Sequence, residues 1–203
     1  MAFNINDFRS NLPGGGARGN LFEVQIAPPA ALSGFADQAR QMTYLAKAAQ
    51  LPGSTVTPVE LNYFGRIVKF PGQKEFADWE TTVINDEDFG IRRFMEAWHE
   101  LIVGNATNIA SADHPADLVT DARVINYSKS GQAIREYVMV GAWPTEIPAI
   151  DLAWDTADPE EFAVTWAYDW WETVDTTNEP IASFNAEVKL PVFGTIGVGG
   201  TVG

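Results

Sequence analysis

Residues 74–104 read KEFADWETTVINDEDFGIRRFMEAWHELIVG, and the spacing of their apolar side chains changes halfway along. Between residues 75 and 84 apolar and polar side chains alternate, with Ala77, Trp79 and Val83 on one face, as is typical of a half-buried strand. From residue 86 onward the apolar side chains form one stripe of an amphipathic helix, namely Ile91, Phe94, Met95, Trp98, Leu101 and Ile102. We therefore predict a strand, a tight turn and one helix, with the strand and the helix stripe packed in a common core.

The ends of the predicted helix carry the usual signals. Asn85 or Asp86 can accept a hydrogen bond from a free amide of the first turn, and Glu87 and Asp88 favour the positive end of the helix dipole. Gly104 offers a left-handed C-terminal cap. These signals place the helix between about residue 86 and residue 104.

Composition limits the class of protein. The chain has 203 residues, a formal net charge of −14 and no cysteine, which suits one domain without disulfides or thiolate chemistry. We find no apolar run near the ~20 residues that span a bilayer and no signal-peptide core, so we expect a soluble subunit that does not insert into a membrane. The negative charge argues against tight nucleic-acid binding, though not against transient passage of nucleic acid.

The remaining sequence predicts a mainly β domain with two extensions. Residues 1–19 read as an N-terminal arm, residues 20–172 as the β domain, and residues 173–203 as a C-terminal extension that ends in a glycine-rich apolar tail. We interpret 30–40 as a loop or short helical turn, Pro71-Gly72 as a turn, and Trp143-Pro144 as the end of a strand. The predicted strands are 21–26, 42–50, 59–70, 75–84, 118–127, 132–140, 150–154 and 162–170.

About eight strands at hairpin spacing with one α-helix predict an antiparallel β-barrel or sandwich flanked by the helix. In the strand 162–170 the residues Phe162, Val164, Trp166, Tyr168 and Trp170 fall on one face. The turn at 128–131 joins two of the strands as a hairpin.

Sites for chemistry are scarce in this sequence. His99 and His114 have no second ligand at helical spacing, and we interpret both as solvated surface histidines. The acidic run 85–88 lacks the alternate spacing and central glycine of a calcium loop, and the glycines at 14–16 precede no Lys-Ser or Lys-Thr pair. We therefore predict no catalytic residue, no cofactor and no metal ligand.

Tryptophans beside carboxylates leave one enzymatic alternative open. Trp79 lies between Asp78 and Glu80, and the run 169–172 reads DWWE, so these groups could line a sugar cleft with a carboxylate pair. At strand spacing such tryptophans more often belong to a core or an interface. We predict that the protein is not an enzyme.

Several segments, in order, resemble the tail tube protein of contractile-tailed bacteriophages. Together they cover residues 17–172, and the ordered set is more specific than any one motif. The sequence departs from that pattern by a longer 30–40 segment and by the residues after 172. The matching segments are 17–24, 51–53, 65–66, 76–79, 84–87, 93–98, 141–145, 152–155 and 168–172.

The resemblance implies a structural protein of the virion, assembled in the cytoplasm of the host bacterium. It implies hexameric rings in which inner strands of neighbouring subunits join one continuous β-barrel, and rings that stack into a tube for ejection of the viral genome. The implied partners are further copies of the chain, the tail sheath protein, the baseplate tube initiator, the tail terminator, the tape measure protein in the lumen, and DNA in passage.

The resemblance also places the 118–140 hairpin and the strands 42–50 and 59–70 at the lumen, which we expect to be negative overall. Polar residues occur on both faces of this hairpin, so the sequence does not decide which face is exposed to solvent. These residues are Thr120, Asp121, Arg123, Asn126, Arg135 and Glu136. Four alternatives stay open: the tube of a secretion or injection system, a baseplate tube initiator, a monomeric ligand-binding β-barrel, and a glycan-active enzyme.

Overall fold

The computed structural model describes residues 4–110, 114–155 and 157–175. The extension predicted at 173–203 therefore lies outside the described residues from 176 onward. This part of the chain contains α1 (Ile5–Ser10), β1 (Phe22–Ile26), α2 (Ala36–Leu45), β2 (Ala46–Ala49), β3 (Ser54–Tyr63), β4 (Arg66–Phe76), β5 (Trp79–Ile84), α3 (Gly90–Ile102), β6 (Thr120–Tyr127), β7 (Ala133–Glu146), β8 (Glu161–Ala167) and β9 (Trp170–Asp175).

Seven strands form one antiparallel sheet in the order β1-β6-β7-β8-β5-β2, with β9 also paired to β7. The mainly β, antiparallel prediction is thus confirmed, but the sheet of the single chain is not closed. Strand β7 belongs to both halves of the sheet. Its residues 135–140 pair with β9, in the half with β1 and β6, whereas residues 143–146 pair with β8, in the half with β5 and β2. Gly141 lies between the two segments with φ 70°, where a register shift occurs against β6, and a Cβ there would lie 2.8 Å from Asp169 Oδ2.

The core joins the strand and helix predicted to pack together, so that prediction is confirmed. Trp79, Phe94, Met95 and Trp98 are all 0–1 % exposed. The Trp98 ring lies 5.4 Å from Phe94 and 5.7 Å from Trp166, and the Trp166 ring lies 6.1 Å from Trp79. Each indole N–H is satisfied: Trp79 donates to Gln50 O, Trp98 to Leu118 O and Trp166 to Thr81 Oγ1.

A second long helix was missed by the sequence analysis. Residues 30–35 form a 3-10 helix, in keeping with the loop or short helical turn predicted at 30–40, but α2 then continues from residue 36 to residue 45, so the predicted strand at 42–50 is wrong except for the short β2. Ala39 and Met42, three residues apart, are its buried side chains. This stripe spans a single helical turn, which is too short to give a clear helical period.

The turn predicted at Pro71-Gly72 is also wrong. Pro71 lies within β4 opposite Pro58, beside a register shift, and prolines are tolerated there because both strands are edges. The chain turns at Phe64 and Gly65, whose φ angles are 45° and 79°. Two consecutive positive φ angles are those of a tight hairpin turn, so the predicted strand 59–70 is in fact a hairpin.

The last strands differ from the prediction in three ways. Strand β7 continues through Trp143-Pro144 to Glu146, since the bulge at Gly141 redirects it toward β8. Residues 150–154 form no strand. The predicted strand 162–170 divides into β8 and β9. Between them Asp169 N donates a hydrogen bond to Val140 O, so the chain leaves β8 and pairs with β7 as β9.

Helix α3 starts later than predicted, at Gly90. Phe89 precedes it with φ 53°, and Asp86 Oδ1 accepts a hydrogen bond from Gly90 N at 2.9 Å. The C-terminal cap is Val103 in an extended conformation, so the predicted left-handed cap at Gly104 is wrong. Gly104 instead permits a close approach, because a Cβ there would lie 2.5 Å from Thr107 Oγ1.

Candidate assembly surfaces

The groups weighed for chemistry do not come together. Among residues 4–110, 114–155 and 157–175, no group of three or more His, Cys, Asp or Glu side chains could hold a metal ion. His99 is half-buried with Nε2 3.1 Å from Pro144 O, so it is not the solvated histidine expected. None of the helices in the described ranges is long and apolar enough to cross a bilayer.

The tryptophans do not form the sugar cleft considered as an alternative. Trp79 is 1 % exposed, so its ring is part of the core and cannot stack on a sugar. Trp170 Nε1 donates to Glu172 Oε1 at 3.0 Å, and the Trp171 ring packs 5.7 Å from Tyr137. Trp79 therefore belongs to the core and Trp171 packs on the sheet, whereas Trp170 is 44 % exposed beside Glu172.

Strands β3 and β4 form a hairpin that pairs with no other described strand, and we call it the arm. The register Val59↔Phe70, Leu61↔Val68 and Tyr63↔Arg66 places these six side chains on one face. We define the apolar arm face as the five residues Val59, Leu61, Tyr63, Val68 and Phe70, which are 40–67 % exposed. Phe64 at the tip is 91 % exposed.

The other face of the arm is more polar, although it includes Ile67, which is 59 % exposed. Lys69 Nζ lies 3.0 Å from Glu60 Oε1 across the two strands, and Asn62 pairs with Ile67 on the same face. The base of the arm is held to the sheet, since Trp171 Nε1 donates to Gly53 O at 3.2 Å. The arm is therefore an amphipathic hairpin whose apolar side has no cover in the described chain.

A second surface is the polar face of β1, β6, β7 and β9. The pairing aligns Glu23, Ile125 and Glu136 in one row and Gln25, Arg123, Val138 and Glu172 in the next. The intervening residues Val24, Val124 and Met139 are 0–1 % exposed and face the core. With Asp121, this face carries four carboxylates and one guanidinium, a net charge of −3.

The structure shows which side of the 118–140 hairpin faces solvent. Asp121, Arg123 and Glu136 share the polar face, whereas Asn126 and Arg135 pair with each other on the opposite parity. Thr120 pairs with buried Ala142. The solvent-facing side of this hairpin thus carries two carboxylates and one guanidinium, a net charge of −1.

Two polar contacts tie the strands of the polar face together. Arg123 Nη1 lies 3.1 Å from Glu136 Oε1, and Tyr127 OH donates to Glu23 Oε2 at 2.6 Å. The hydrogen bond to Glu23, together with burial, raises the pKa of Tyr127 to about 12. These cross-strand bonds make the polar face a defined surface and not a loose set of side chains.

A third surface is the segment 151–155, sequence DLAWD, which we call the acidic loop. Leu152 is 77 % and Trp154 107 % exposed, with an aspartate on each side. A short strand was predicted at 150–154, and the structure has no strand there. Within the described ranges, nothing covers either apolar side chain, and this exposure is visible only in the structure.

Sequence comparison places the chain among tail proteins of bacteriophages. The family described as phage tail tube protein matches residues 17–174. Tail tube protein gp19 of Enterobacteria phage T4 is 30% identical over 173 residues, 84% of this chain and 95% of that protein. The tail tube protein of Serratia phage KSP90 is 28% identical over 156 residues, 76% and 87% of the two chains.

Two solved structures share the fold at low sequence identity. One, from the sheath–tube complex of an extracellular contractile injection system, has a TM-score of 0.54 at 11% identity and covers 86% of this chain and 99% of that chain. The other, from the tube-terminating cap of the anti-feeding prophage, has a TM-score of 0.54 at 12% identity and covers 78% and 91%. By the match along residues 17–174 and the identity to the phage proteins, the chain belongs to the phage tail tube protein family.

Proposed function

We propose that this chain is the structural subunit of a contractile phage tail tube, in which hexameric rings stack around a lumen that conducts the viral genome into the host. The observation that carries the proposal is the arm, because its apolar face is exposed on an ordered hairpin. Monomeric proteins rarely expose contiguous apolar patches of this kind, which mark protein interfaces. A second copy of the chain is the natural cover in a family of tube proteins.

The open sheet supports ring formation. Strands β1, β2 and β9 each have one side unpaired by any described strand. Exposed strand edges promote association with other chains, and closure of a sheet into a barrel removes them. Pairing of these strand edges between neighbouring subunits would therefore close the sheet around the ring.

The polar face is our candidate for the lumen wall. The predicted wall included 42–50 and 59–70, but 42–45 is helical and 59–70 lies in the arm, so we confine the proposal to β1, β6, β7 and β9. A wall that carries −3 per subunit repels polyphosphate. DNA then passes without adhering to the tube.

The remaining partners follow from this role. Outside the tube we propose the sheath, at its ends the baseplate initiator and the terminator, and inside it the tape measure protein before ejection. Chains with this fold come from a sheath–tube complex and from a tube cap, which supports such neighbours. The subunit would act in the virion without catalysis.

A monomeric ligand-binding barrel is less well supported. The space between the sheet halves and the helices is filled by Trp79, Phe94, Met95, Trp98 and Trp166, each 0–1 % exposed. A ligand-binding barrel needs an interior cavity of several hundred Å³ at that place.

One pair of adjacent residues tests the proposal. Leu61 is on the apolar arm face and Asn62 on the polar face, so Leu61→Asp and Asn62→Asp add the same charge on opposite sides. We expect Leu61→Asp to abolish tube formation in electron micrographs, because it would bury a charge at the interface, and Asn62→Asp to assemble normally. Wild-type protein that stays monomeric at every concentration would contradict the proposed function.

A further inference from the structure

We propose that the acidic loop, 151–155, of one copy is the docking site for the apolar arm face of a second copy. This inference rests on the proposed tube assembly and names the surface that the arm contacts. No described element of the same chain covers either surface.

The acidic loop is held at its base and exposed at its tip. Ile147 and Ile150 pack against the core, and Arg92 Nη1 donates to Pro148 O at 2.9 Å. Beyond this anchor Leu152 and Trp154 project with 77 % and 107 % exposure. A large aromatic side chain on a fixed base is the type of residue that dominates binding energy at protein interfaces.

The two surfaces are complementary in charge as well as in apolar character. The arm contains three basic residues and two acidic ones, a net charge of +1 on a chain of −14. Arg66 is on the same face as the apolar arm residues, next to Tyr63. The acidic loop has Asp151 and Asp155 on either side of its apolar pair and no basic residue. In such a contact the apolar side chains of the two surfaces would pack together, and the carboxylates of the acidic loop would lie near Arg66.

The positions of the two surfaces favour contact between copies. The arm ends at Phe76, just before β5 begins at Trp79, whereas the far end of β5, Ile84, pairs with Glu161 at the start of β8. The acidic loop precedes β8, so the two surfaces attach at opposite ends of the β5–β8 pair, ~20 Å apart for six strand residues. A contact between different surfaces at opposite ends is head-to-tail, and such contacts generate rings or tubes.

Two matched substitutions test the loop. Trp154→Ala removes the exposed indole, and Tyr44→Ala removes an aromatic side chain that is 80 % exposed on α2, an element that belongs to neither surface. We expect Trp154→Ala to raise the protein concentration needed for tube formation at least about tenfold without lowering the thermal midpoint. Tyr44→Ala should assemble as the wild type does.

Cross-linking identifies the partner directly, because the chain has no cysteine of its own. Asn62→Cys labels the arm outside its apolar face, Ala153→Cys labels the acidic loop, and Asp37→Cys on α2 is the control; all three positions are exposed. Separately purified variants are mixed, assembled and treated with a flexible bis-maleimide. We expect dimers from the Asn62→Cys and Ala153→Cys mixture, and few from the Asn62→Cys and Asp37→Cys mixture.

The outcomes separate this inference from the proposed function. Normal tubes with Trp154→Ala, or cross-links no more frequent than with the control, would overturn the loop as docking site while the tube proposal stands. Dimers between two Asn62→Cys copies only would assign the arm to another arm. A variant that carries both Asn62→Cys and Ala153→Cys provides a further control. A cross-link within its monomer would show that the arm contacts the acidic loop of its own chain. Arm-to-arm dimers or a cross-link within one monomer would each overturn the inference. Failure of the wild type to assemble would overturn both proposals.

Discussion

Replacement of Trp98 by alanine tests the packing that supports all three surfaces. Trp98 is 0 % exposed, packs against Phe94 and Trp166, and donates a hydrogen bond of 2.7 Å to Leu118 O. Trp98→Ala removes the ring contacts and leaves that carbonyl without its donor. Trp98→Phe keeps most of the buried apolar area and loses the hydrogen bond.

The expected magnitudes differ enough to be measured. Truncation of a buried tryptophan to alanine costs ~3–5 kcal/mol, and loss of the hydrogen bond to the half-buried Leu118 carbonyl adds about 1 kcal/mol, so we expect about 4–6 kcal/mol for Trp98→Ala. Trp98→Phe should cost only about 1–3 kcal/mol. Total stabilities of single domains are ~5–15 kcal/mol, so the alanine variant should be close to unfolding at room temperature.

Urea denaturation of unassembled protein, followed by circular dichroism, measures these free energies of unfolding. Trp154→Ala is the matched control, because the same substitution at a side chain 107 % exposed should change stability by less than about 0.5 kcal/mol. A loss below about 1 kcal/mol for Trp98→Ala, or equal losses for Trp98→Phe and Trp98→Ala, would refute the packing argument.

Three further predictions follow from the structure. Gly141→Ala should destabilise the fold by at least ~1–2 kcal/mol in the same assay, because φ there is 70° and a Cβ would lie 2.8 Å from Asp169 Oδ2; unchanged stability would refute the strained bulge. Tyr127 should ionise near pH 12 in an ultraviolet titration compared with Tyr127→Phe, and because its folded pKa exceeds the ordinary tyrosine value of 10.0, its hydrogen bond to Glu23 stabilises the fold below pH 10 and is lost as pH rises through 12. Ionisation of Tyr127 near pH 10 would contradict this. Deletion of 178–203 should leave the thermal midpoint unchanged, since the sequence of this segment lacks core-forming periodicity, and should alter tube formation or sheath attachment; loss of the fold would contradict this.

Sequence patterns predicted the fold where they were long. The alternation up to Val83 and the three-turn stripe from Ile91 to Ile102 predicted β5, α3 and their common core, because such runs leave only one face for burial. Helix α2 buries only Ala39 and Met42, and so short a stripe was read as loop and strand. The bulge at Gly141, which carries β7 past Pro144, has a positive φ and adjoins the hydrogen bond from Asp169 N to Val140 O, an arrangement between distant residues that no local pattern encodes.

The assembly surfaces were harder to predict than the core. Apolar residues of the arm alternate as in any half-buried strand, so the pattern around Leu61 predicts burial but not in which molecule. The hairpin turn at Phe64-Gly65 lacks the usual Asn-Gly or Asp-Gly pair and was missed. The family resemblance placed residues 152–155 in a motif, yet the exposure of Trp154 is visible only in three dimensions.

The most direct test of the central claim is a cryo-electron microscopy structure of the assembled wild-type protein. We predict hexameric rings stacked into a tube, with Glu23, Asp121, Glu136 and Glu172 on the lumen wall and the arm buried between copies. Rings whose lumen is lined by basic residues, or in which the polar face of β1, β6, β7 and β9 lies on the outer surface, would contradict the account.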